Sequence, residues 1–194
     1  MYEDPYDVTN PPAESLAGQV AQCAVGLKKA DVGALGRLYD CAGPRLLRYV
    51  TALVRNKFDA EDAVQAAFVR IAQQPRAFAA ARLPWPYLLR VVRNEGLKIV
   101  QKKQQRRTSA SVADAESVDE ILVEHEESAA VVRSALERLP QEQAEVVVLK
   151  IWEEMTFAEI AEVTSESLNT VASRYRYALD KLSRSLESLA PEYC

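Results

Sequence analysis

The chain has 194 residues, of which 48% are hydrophobic and only six are glycine, and its 24 lysines and arginines against 28 aspartates and glutamates give a net charge of -4. Long stretches of Ala, Leu, Glu, Arg and Gln predict a folded, mostly helical protein rather than a disordered one. No apolar run reaches the roughly 18 residues of a membrane helix, and the acidic N-terminus is unlike a signal peptide, so we expect a cytoplasmic protein with no membrane insertion.

Cysteine and histidine are too sparse in this sequence to suggest a metal site. Cys23, Cys41 and Cys194 lie far apart in the chain, and His125 is the one imidazole. None of them has the short spacing of a zinc site or of a disulfide framework. The sequence therefore predicts three free thiols, no metal and no cofactor.

The charge is unevenly distributed along the chain. Residues 82–107 carry eight lysines and arginines and a single glutamate, whereas residues 108–129 carry seven acidic residues and no lysine or arginine. Residues 130–194 hold seven cations and eleven anions. The small negative total thus conceals a basic segment that is followed directly by an acidic one.

The N-terminal half shows helical periodicity after an irregular start. Residues 1–14 contain three prolines and no apolar period, which predicts a mobile arm. Apolar residues then recur at helical spacing over 16–27 and over 35–53, with a break expected at Gly43-Pro44. A third helix is expected to run to about Gln74 with Asp59 as its N-cap. A fourth is opened by Pro84 and Pro86 and runs into the basic segment, and together these helices could bury one core.

The second half predicts a separate set of helices. Residues 108–127 are rich in Ser, Ala, Asp and Glu with few large apolar residues, and we expect them to form a linker. Helices are then expected over about 128–138 and through 146–152, separated by a stop at Leu139-Pro140. The chain is therefore predicted to be all-α, with two small helical domains at 15–107 and 128–190 joined by an acidic linker.

The last two predicted helices are joined by a tight turn. Thr156 and Glu159 have the spacing of a capping box, the turn falls at 164–166, and the next helix begins at Leu168. At about 100° per residue, one side of this helix collects apolar residues: Leu168, Val171, Tyr175, Ala178, Leu179 and Leu182. The opposite side and its flanks carry Asn169, Thr170, Ser173, Arg174, Arg176, Tyr177 and Lys181.

This arrangement is typical of a DNA recognition helix. Hydrogen-bonding side chains would face base edges in the major groove, and cations would lie within reach of phosphates. A helical hairpin with a merely solvated charged face would show the same pattern, so the pattern alone leaves both interpretations open.

Longer stretches resemble the bacterial sigma-70 family, in its extracytoplasmic-function (ECF) group. Residues 135–182 are similar to region four of that group in their Leu-Pro step, their Ala-Glu-Ile-Ala helix and the Thr-Val-x-Ser-Arg start of the next helix: ALERLPQEQAEVVVLKIWEEMTFAEIAEVTSESLNTVASRYRYALDKL. Region two is resembled by LYDCAGPRLLRYVTALVRNKFDAEDAVQAAFVRI and YLLRVVRNEGLKIVQKKQQRR. The resemblance implies a non-enzymatic sigma factor that binds core RNA polymerase, directs it to promoters and helps to open them.

The resemblance also implies three sets of binding residues. Docking on core RNA polymerase is implied for Asp59, Glu61, Asp62, Gln65, Phe68 and Arg70. Capture of the melted minus-10 strand is implied for Trp85, Tyr87, Arg90, Arg93, Asn94, Lys98, Lys102 and Arg106. Reading of the double-stranded minus-35 element is implied for Asn169, Thr170, Ser173, Arg174, Arg176, Tyr177 and Lys181. An anti-sigma factor commonly holds members of this group, although no residue of this chain identifies one.

Some positions depart from the family pattern, and one segment has two interpretations. Ser165 stands where a turn glycine is common, and Ala66 and Ala67 replace a polar pair after Gln65. The acidic linker is either a solvated spacer or, as a hypothesis, a segment that lies near the RNA exit path of polymerase or folds back on residues 82–107 and suppresses DNA binding.

Two rival functions are open at this point. A helix-turn-helix regulator would bind operator DNA without replacing sigma, but it leaves the acidic helix around Glu61 unexplained. A helical enzyme would use Glu61 and Asp62 as paired carboxylates. Adjacent side chains point about 100° apart on a helix, which disfavours that pairing.

Overall fold

The computed structural model describes residues 14–109, 132 and 134–187 of the chain. The N-terminal bundle consists of α1 (Leu16–Lys28), α2 (Gly33–Val54), α3 (Lys57–Gln73), α4 (Pro75–Ala79) and α5 (Pro84–Ser109). The C-terminal bundle begins with a short helical segment at 134–137 and continues with α6 (Gln141–Ile151), α7 (Phe157–Thr164) and α8 (Leu168–Glu187). This part of the chain is all-α, as predicted. The N-terminal arm, most of the acidic linker, His125 and Cys194 lie outside the described residues.

The predicted break at Gly43-Pro44 is wrong, because α2 runs without interruption through Pro44. The proline is exposed and removes one backbone hydrogen bond from the helix. Buried Leu38 and Leu46 lie on either side of it and belong to one continuous apolar face. The packing of that face against the other helices outweighs the lost hydrogen bond.

The start of α3 also differs from the prediction. Asn56, not Asp59, is the N-cap, and its side-chain oxygen accepts a hydrogen bond from the Asp59 backbone N–H at 3.0 Å. Arg55 adopts a left-handed conformation with φ of 57° and turns the chain from α2 into α3. The Asn56 side chain satisfies this helix end, and Asp59 lies in the first turn of α3, where the helix dipole favours a negative charge.

A short helix that the periodicity did not indicate follows α3. Pro75 opens α4, and the fully buried Phe78 fixes this helix to the core. Five residues are too few for a hydrophobic period to be recognised, which is why only the proline could have marked this element.

The core of the N-terminal bundle lies between α2, α3 and α5. Leu46, Val50, Ile71, Leu88 and Val92 are each at most 1% exposed. The backbone of α5 approaches α2 most closely at Gly96, where an added Cβ would lie 2.8 Å from Val50 Cγ2 and 2.9 Å from Val54 Cγ1. The absence of a side chain at this position is therefore what lets the basic helix pack directly on α2.

The two predicted domains pack against each other. Helix α6 is buried along its middle, from Ala144 to Leu149, because α2 covers one side and α8 the other. Buried residues of both bundles form one continuous apolar cluster. Hydrogen bonds also cross the boundary between the two bundles. Arg55 Nη2 donates to the Leu139 carbonyl at 2.9 Å, and Gln141 Nε2 donates to the Leu53 carbonyl at 3.2 Å. Among the described helices, none has the length and apolarity to cross a membrane.

Candidate nucleic-acid and polymerase interfaces

The predicted helix-turn-helix is confirmed in α7 and α8. Thr156 Oγ1 accepts from the Glu159 N–H at 3.2 Å, and Glu159 Oε2 accepts from the Thr156 N–H at 2.8 Å, which completes the capping box. Ser165 ends α7 in a left-handed conformation with φ of 59°. A serine there costs about 1 kcal/mol more than a glycine would. Ser167 then caps α8 by accepting from the Thr170 N–H at 3.1 Å.

The apolar side of α8 is only partly buried. Val171 and Ala178 are fully buried, and the Tyr175 ring packs edge-on against Phe157 with centroids 5.5 Å apart. Leu168 and Leu179, which the helical spacing places on the same side, are 52% and 40% exposed. Both lie at the same margin of the apolar stripe, beyond the reach of α7 and α6.

The opposite side of α8 faces solvent as predicted. Asn169, Arg176, Tyr177 and Lys181 are exposed, with the Arg176 guanidinium 5.2 Å from the Tyr177 ring centroid. Three other members of the predicted set are half-buried and have partners inside the bundle. Arg174 pairs with Glu166 at 3.0 Å, Ser173 donates to the Thr170 carbonyl at 3.0 Å, and Thr170 contacts Ser167. The first group is therefore the most accessible part of the predicted set.

The basic segment forms nearly all of α5, and most of its predicted DNA contacts share an exposed surface. Asn94, Lys98, Lys102 and Arg106 are exposed, and Lys98 also pairs with Glu95 at 2.8 Å. Arg90 lies over the Tyr87 ring at 5.5 Å. We call the surface made by Arg90, Asn94, Lys98, Lys102 and Arg106 the basic strip.

Three predicted minus-10 residues are not on the basic strip. Trp85 is only 6% exposed and belongs to the core, and Tyr87 is half-buried with its ring 5.9 Å from that of Phe78. The side chain of Arg93 is 16% exposed and turns toward the C-terminal bundle instead. In this arrangement Arg93 and Trp85 are not available to a nucleic acid.

Helix α3 presents a mixed face to solvent. Among the predicted polymerase-binding residues Asp62, Gln65 and Arg70 are exposed, Glu61 is half-buried, and Asp59 and Phe68 are buried. Lys103 of α5 pairs with Asp59 at 2.8 Å, and the Phe68 ring contacts Tyr39. Phe58 and Val69 are exposed by 64% and 55% and fall on the same face as Asp62 and Gln65. Their helical spacing could have revealed this stripe from the sequence.

A buried polar cluster joins α2, α5 and α6 at the boundary between the bundles. Arg93 donates from Nε to Glu145 Oε1 at 2.7 Å and from Nη2 to Oε2 at 3.2 Å. Tyr49 OH donates to the same Oε1 at 2.7 Å. Burial raises the pKa of Tyr49, and the neighbouring Glu145 carboxylate raises it further. Burial disfavours the charged form of Arg93, but the hydrogen bonds and charge of Glu145 outweigh this effect and raise the pKa of the guanidinium. The Glu145 carboxylate thus accepts two hydrogen bonds from the Arg93 guanidinium, in a contact between opposite charges.

A second acidic contact at the same boundary is weaker. The buried Glu153 carboxylate lies 3.4 Å from Arg45 Nε and 3.5 Å from Arg48 Nη2. Burial raises the pKa of Glu153 in spite of these two arginines. Long distances and incomplete hydrogen bonding explain why the charge remains unfavourable there.

Sequence reasoning missed Glu145 as a functional candidate. It is the one acidic residue in the apolar run from Ala144 to Leu149. A charged residue at a buried helical position requires a partner, and that signal could have marked it without naming Arg93.

Comparisons with known proteins agree with this architecture. Residues 38–107 match the family model for sigma-70 region 2, and residues 129–182 match that for sigma-70 region 4. The RNA polymerase sigma-E factor of Streptomyces avermitilis is 33% identical over 143 residues, which cover 74% of this chain and 79% of that protein. The ECF RNA polymerase sigma factor SigW of Bacillus subtilis is 26% identical over 176 residues, covering 84% and 94%.

Two solved structures share the fold. The sigma factor RpoE of Bartonella quintana, in complex with the anti-sigma factor NepR, has a TM-score of 0.64 and 19% identity over 80% of this chain and 98% of that one. CnrH, in complex with the cytosolic domain of CnrY, has a TM-score of 0.61 and 24% identity over 88% and 96%. At these identities the likeness concerns the fold alone.

The two bundles define a two-region transcription factor with a helix-turn-helix in its second region. The chain belongs to the sigma-70 family, in the ECF group. It is a sigma factor, which binds core RNA polymerase and directs it to promoters for the initiation of transcription. The rival regulator that uses the helix-turn-helix alone is not favoured, because residues 38–107 match region 2 as well.

Proposed function

We propose a division of labour among three surfaces of this sigma factor. In this proposal α8 reads the duplex minus-35 element, the basic strip of α5 holds the melted minus-10 strand, and the exposed stripe of α3 docks on core polymerase. The observation that carries the proposal is the exposed polar side of α8. The other side of the same helix is held in the bundle by the buried residues Val171 and Ala178.

The minus-35 assignment is supported by the chemistry of α8. Asn169 lies in the first turn of the helix, the part of a recognition helix that enters the major groove. Arg176 presents a planar guanidinium, which suits bidentate contact to guanine or to phosphate. Lys181 lies further along the exposed part of the helix and would approach the backbone. The surface thus combines groups for base readout with groups for positioning.

The minus-10 assignment is supported by the cations on α5. Capture of a single strand needs positive charge along its backbone and planar groups for unstacked bases. The basic strip supplies the first, and the half-buried Tyr87 offers a planar ring 5.5 Å from the Arg90 guanidinium. The Asn94 amide lies within the strip and can donate to and accept from a base edge.

Salt dependence tests this assignment. Four strip cations, Arg90, Lys98, Lys102 and Arg106, predict that log K for a single-stranded oligonucleotide falls against log salt with a slope of about -3. Replacing Lys102 and Arg106 with alanine should make the slope shallower by about 1.4. Fluorescence polarisation at several salt concentrations measures both values.

A matched control uses two other exposed lysines of the same bundle. Lys28 and Lys29 lie at the end of α1 and are exposed. Replacing both with alanine removes the same charge and should leave the slope unchanged. Equal slopes for the two double variants would show that net charge alone, and not the strip, attracts the strand.

The polymerase assignment is supported by the composition of the α3 stripe. Phe58 and Val69 expose apolar surface beside Asp62 and Gln65, a combination suited to a partner with arginines around an apolar patch. Among the known structures, the Bartonella sigma factor was solved with an anti-sigma factor. We include an inhibitory protein of this kind among the proposed partners.

Charge reversal on the stripe tests the docking surface. Asp62→Arg should weaken capture of core polymerase at least about tenfold, because a like charge would then face the partner's arginines. Asp40→Arg on α2 makes the same change at another exposed aspartate and should have little effect. Biolayer interferometry with immobilised core polymerase gives both affinities, and an equal loss for the two variants would refute the stripe.

A further inference from the structure

The contact between the two bundles has a consequence for promoter binding, if the surfaces proposed above are correct. The positions that name the minus-10 and minus-35 elements are about 25 base pairs apart, which is about 85 Å along B-DNA. In the structure α5 contacts α7 directly, and Arg82 Nη2 pairs with Glu162 Oε1 at 3.0 Å. Helix α8, with 20 residues, is only about 30 Å long. The basic strip of α5 and the exposed polar side of α8 are therefore too close together for both to engage one promoter.

The same contact also removes a predicted DNA-binding cation from the surface. Arg93 lies next to Asn94 of the basic strip, but its guanidinium is occupied by both oxygens of Glu145. A carboxylate that accepts two parallel hydrogen bonds from a guanidinium offers it the same interaction as a phosphate. Glu145 thus holds the position that a backbone phosphate would take at Arg93.

The polarity of the boundary is consistent with this role. In five boundary contacts the N-terminal bundle supplies an arginine and the C-terminal bundle an acceptor: Arg45 with the Trp152 carbonyl, Arg48 with Glu153, Arg55 with the Leu139 carbonyl, Arg82 with Glu162, and Arg93 with Glu145. Of these, Arg93–Glu145 is the pair with both short distances and a buried carboxylate, with side chains 16% and 2% exposed. It is therefore the contact expected to contribute most to holding the bundles together.

We propose that the Arg93–Glu145–Tyr49 cluster is a latch that keeps the free sigma factor in a closed, promoter-incompetent arrangement. Glu145 masks Arg93 in this state, and separation of the bundles both frees Arg93 and allows the two reading surfaces to move apart. Opening uncovers one side of α6, whose residues are otherwise buried, so the open state requires a partner to cover that side. Core polymerase is the partner that the proposed function supplies.

Small-angle X-ray scattering and strand binding on the full chain test the latch. A compact 194-residue chain has a radius of gyration of about 16 Å. Glu145→Gln keeps the shape of the side chain but removes the charge, and we expect it to increase the radius of gyration by several ångströms. Polarisation with a labelled single-stranded oligonucleotide of mixed sequence should then show at least roughly tenfold tighter binding than the wild type.

The matched control is Glu162→Gln, at the same boundary. Its partner Arg82 is 71% exposed, and such exposed pairs contribute little. We expect this variant to keep the wild-type radius and the wild-type affinity. Circular dichroism establishes that each variant keeps its helices.

A charge swap distinguishes loss of the Arg93–Glu145 contact from a general failure to fold. Glu145→Arg should open the protein by placing two cations together, and adding Arg93→Glu should restore the compact radius, since the pair is re-formed in reverse. Compactness that is the same in all variants would overturn the latch. Expansion of Glu145→Gln without tighter strand binding would overturn the masking of Arg93.

Failure of the proposed function would look different from failure of the latch. If no variant bound the strand although Glu145→Gln expanded, the assignment of α5 to the minus-10 strand would fall, and the masking of a DNA site with it. The scattering data alone would still establish that Glu145 holds the bundles together.

Discussion

Replacing Asn169 and Arg176 together with alanine is expected to reduce initiation at the cognate promoter at least about 30-fold, since each specific base contact is worth about 1–3 kcal/mol. Both side chains are exposed on α8, so the substitutions remove groups that could contact DNA without creating a cavity. The fold and the affinity for core polymerase should therefore be unchanged.

Run-off transcription with core polymerase, together with polymerase capture, separates these effects. The control replaces Gln22 and Arg76, which are exposed in the N-terminal bundle, with alanine and should initiate as the wild type does. If the α8 variant lost polymerase binding in the same proportion as initiation, α8 would be a protein interface and the minus-35 assignment would be contradicted.

The second large effect is expected at Gly96 in α5. A methyl group there would lie within 3 Å of side-chain methyl carbons of Val50 and Val54. Valine is restricted at χ1, so neither side chain can move aside without shifting the backbone. We expect Gly96→Ala to destabilise the fold by about 1–3 kcal/mol, even though alanine favours helices.

Gly36→Ala in α2 is the matched control, because nothing lies within 4 Å of its added Cβ. This exposed helical position should gain about 0.5–1 kcal/mol from the same substitution. Urea unfolding followed by circular dichroism gives both free energies of unfolding. Two changes of the same sign and size would show that helix propensity, and not the close approach of α5 to α2, decides the outcome at Gly96.

Local signals in the sequence were sufficient for the helix-turn-helix. Thr156 and Glu159 are three residues apart, and the capping box they predict depends on no distant contact. The exposed side of α8 followed from helical periodicity alone, since Asn169 and Arg176 stand opposite Val171 and Ala178. These features were predicted correctly because the interactions that create them lie within one or two turns of helix.

Tertiary contacts account for what the sequence did not predict. Arg93 was grouped with the cations of α5, but its partner Glu145 is 52 residues away and no local pattern links the two. Pro44 is a helix breaker by propensity, yet the buried residues on both sides keep α2 continuous. The direction in which each α5 cation points depends on which neighbouring helix covers it, and that is decided by packing of the two bundles.

The most direct test of the central claim is reconstitution of transcription with the purified chain, sigma-free bacterial core polymerase and fragmented genomic DNA of the source organism, with start sites mapped by sequencing. We predict discrete start sites that share two upstream motifs at a fixed spacing and that disappear when Asn169 and Arg176 are replaced. Initiation at the same positions without the chain, or no initiation despite stable binding to core polymerase, would contradict the assignment of promoter recognition to this protein.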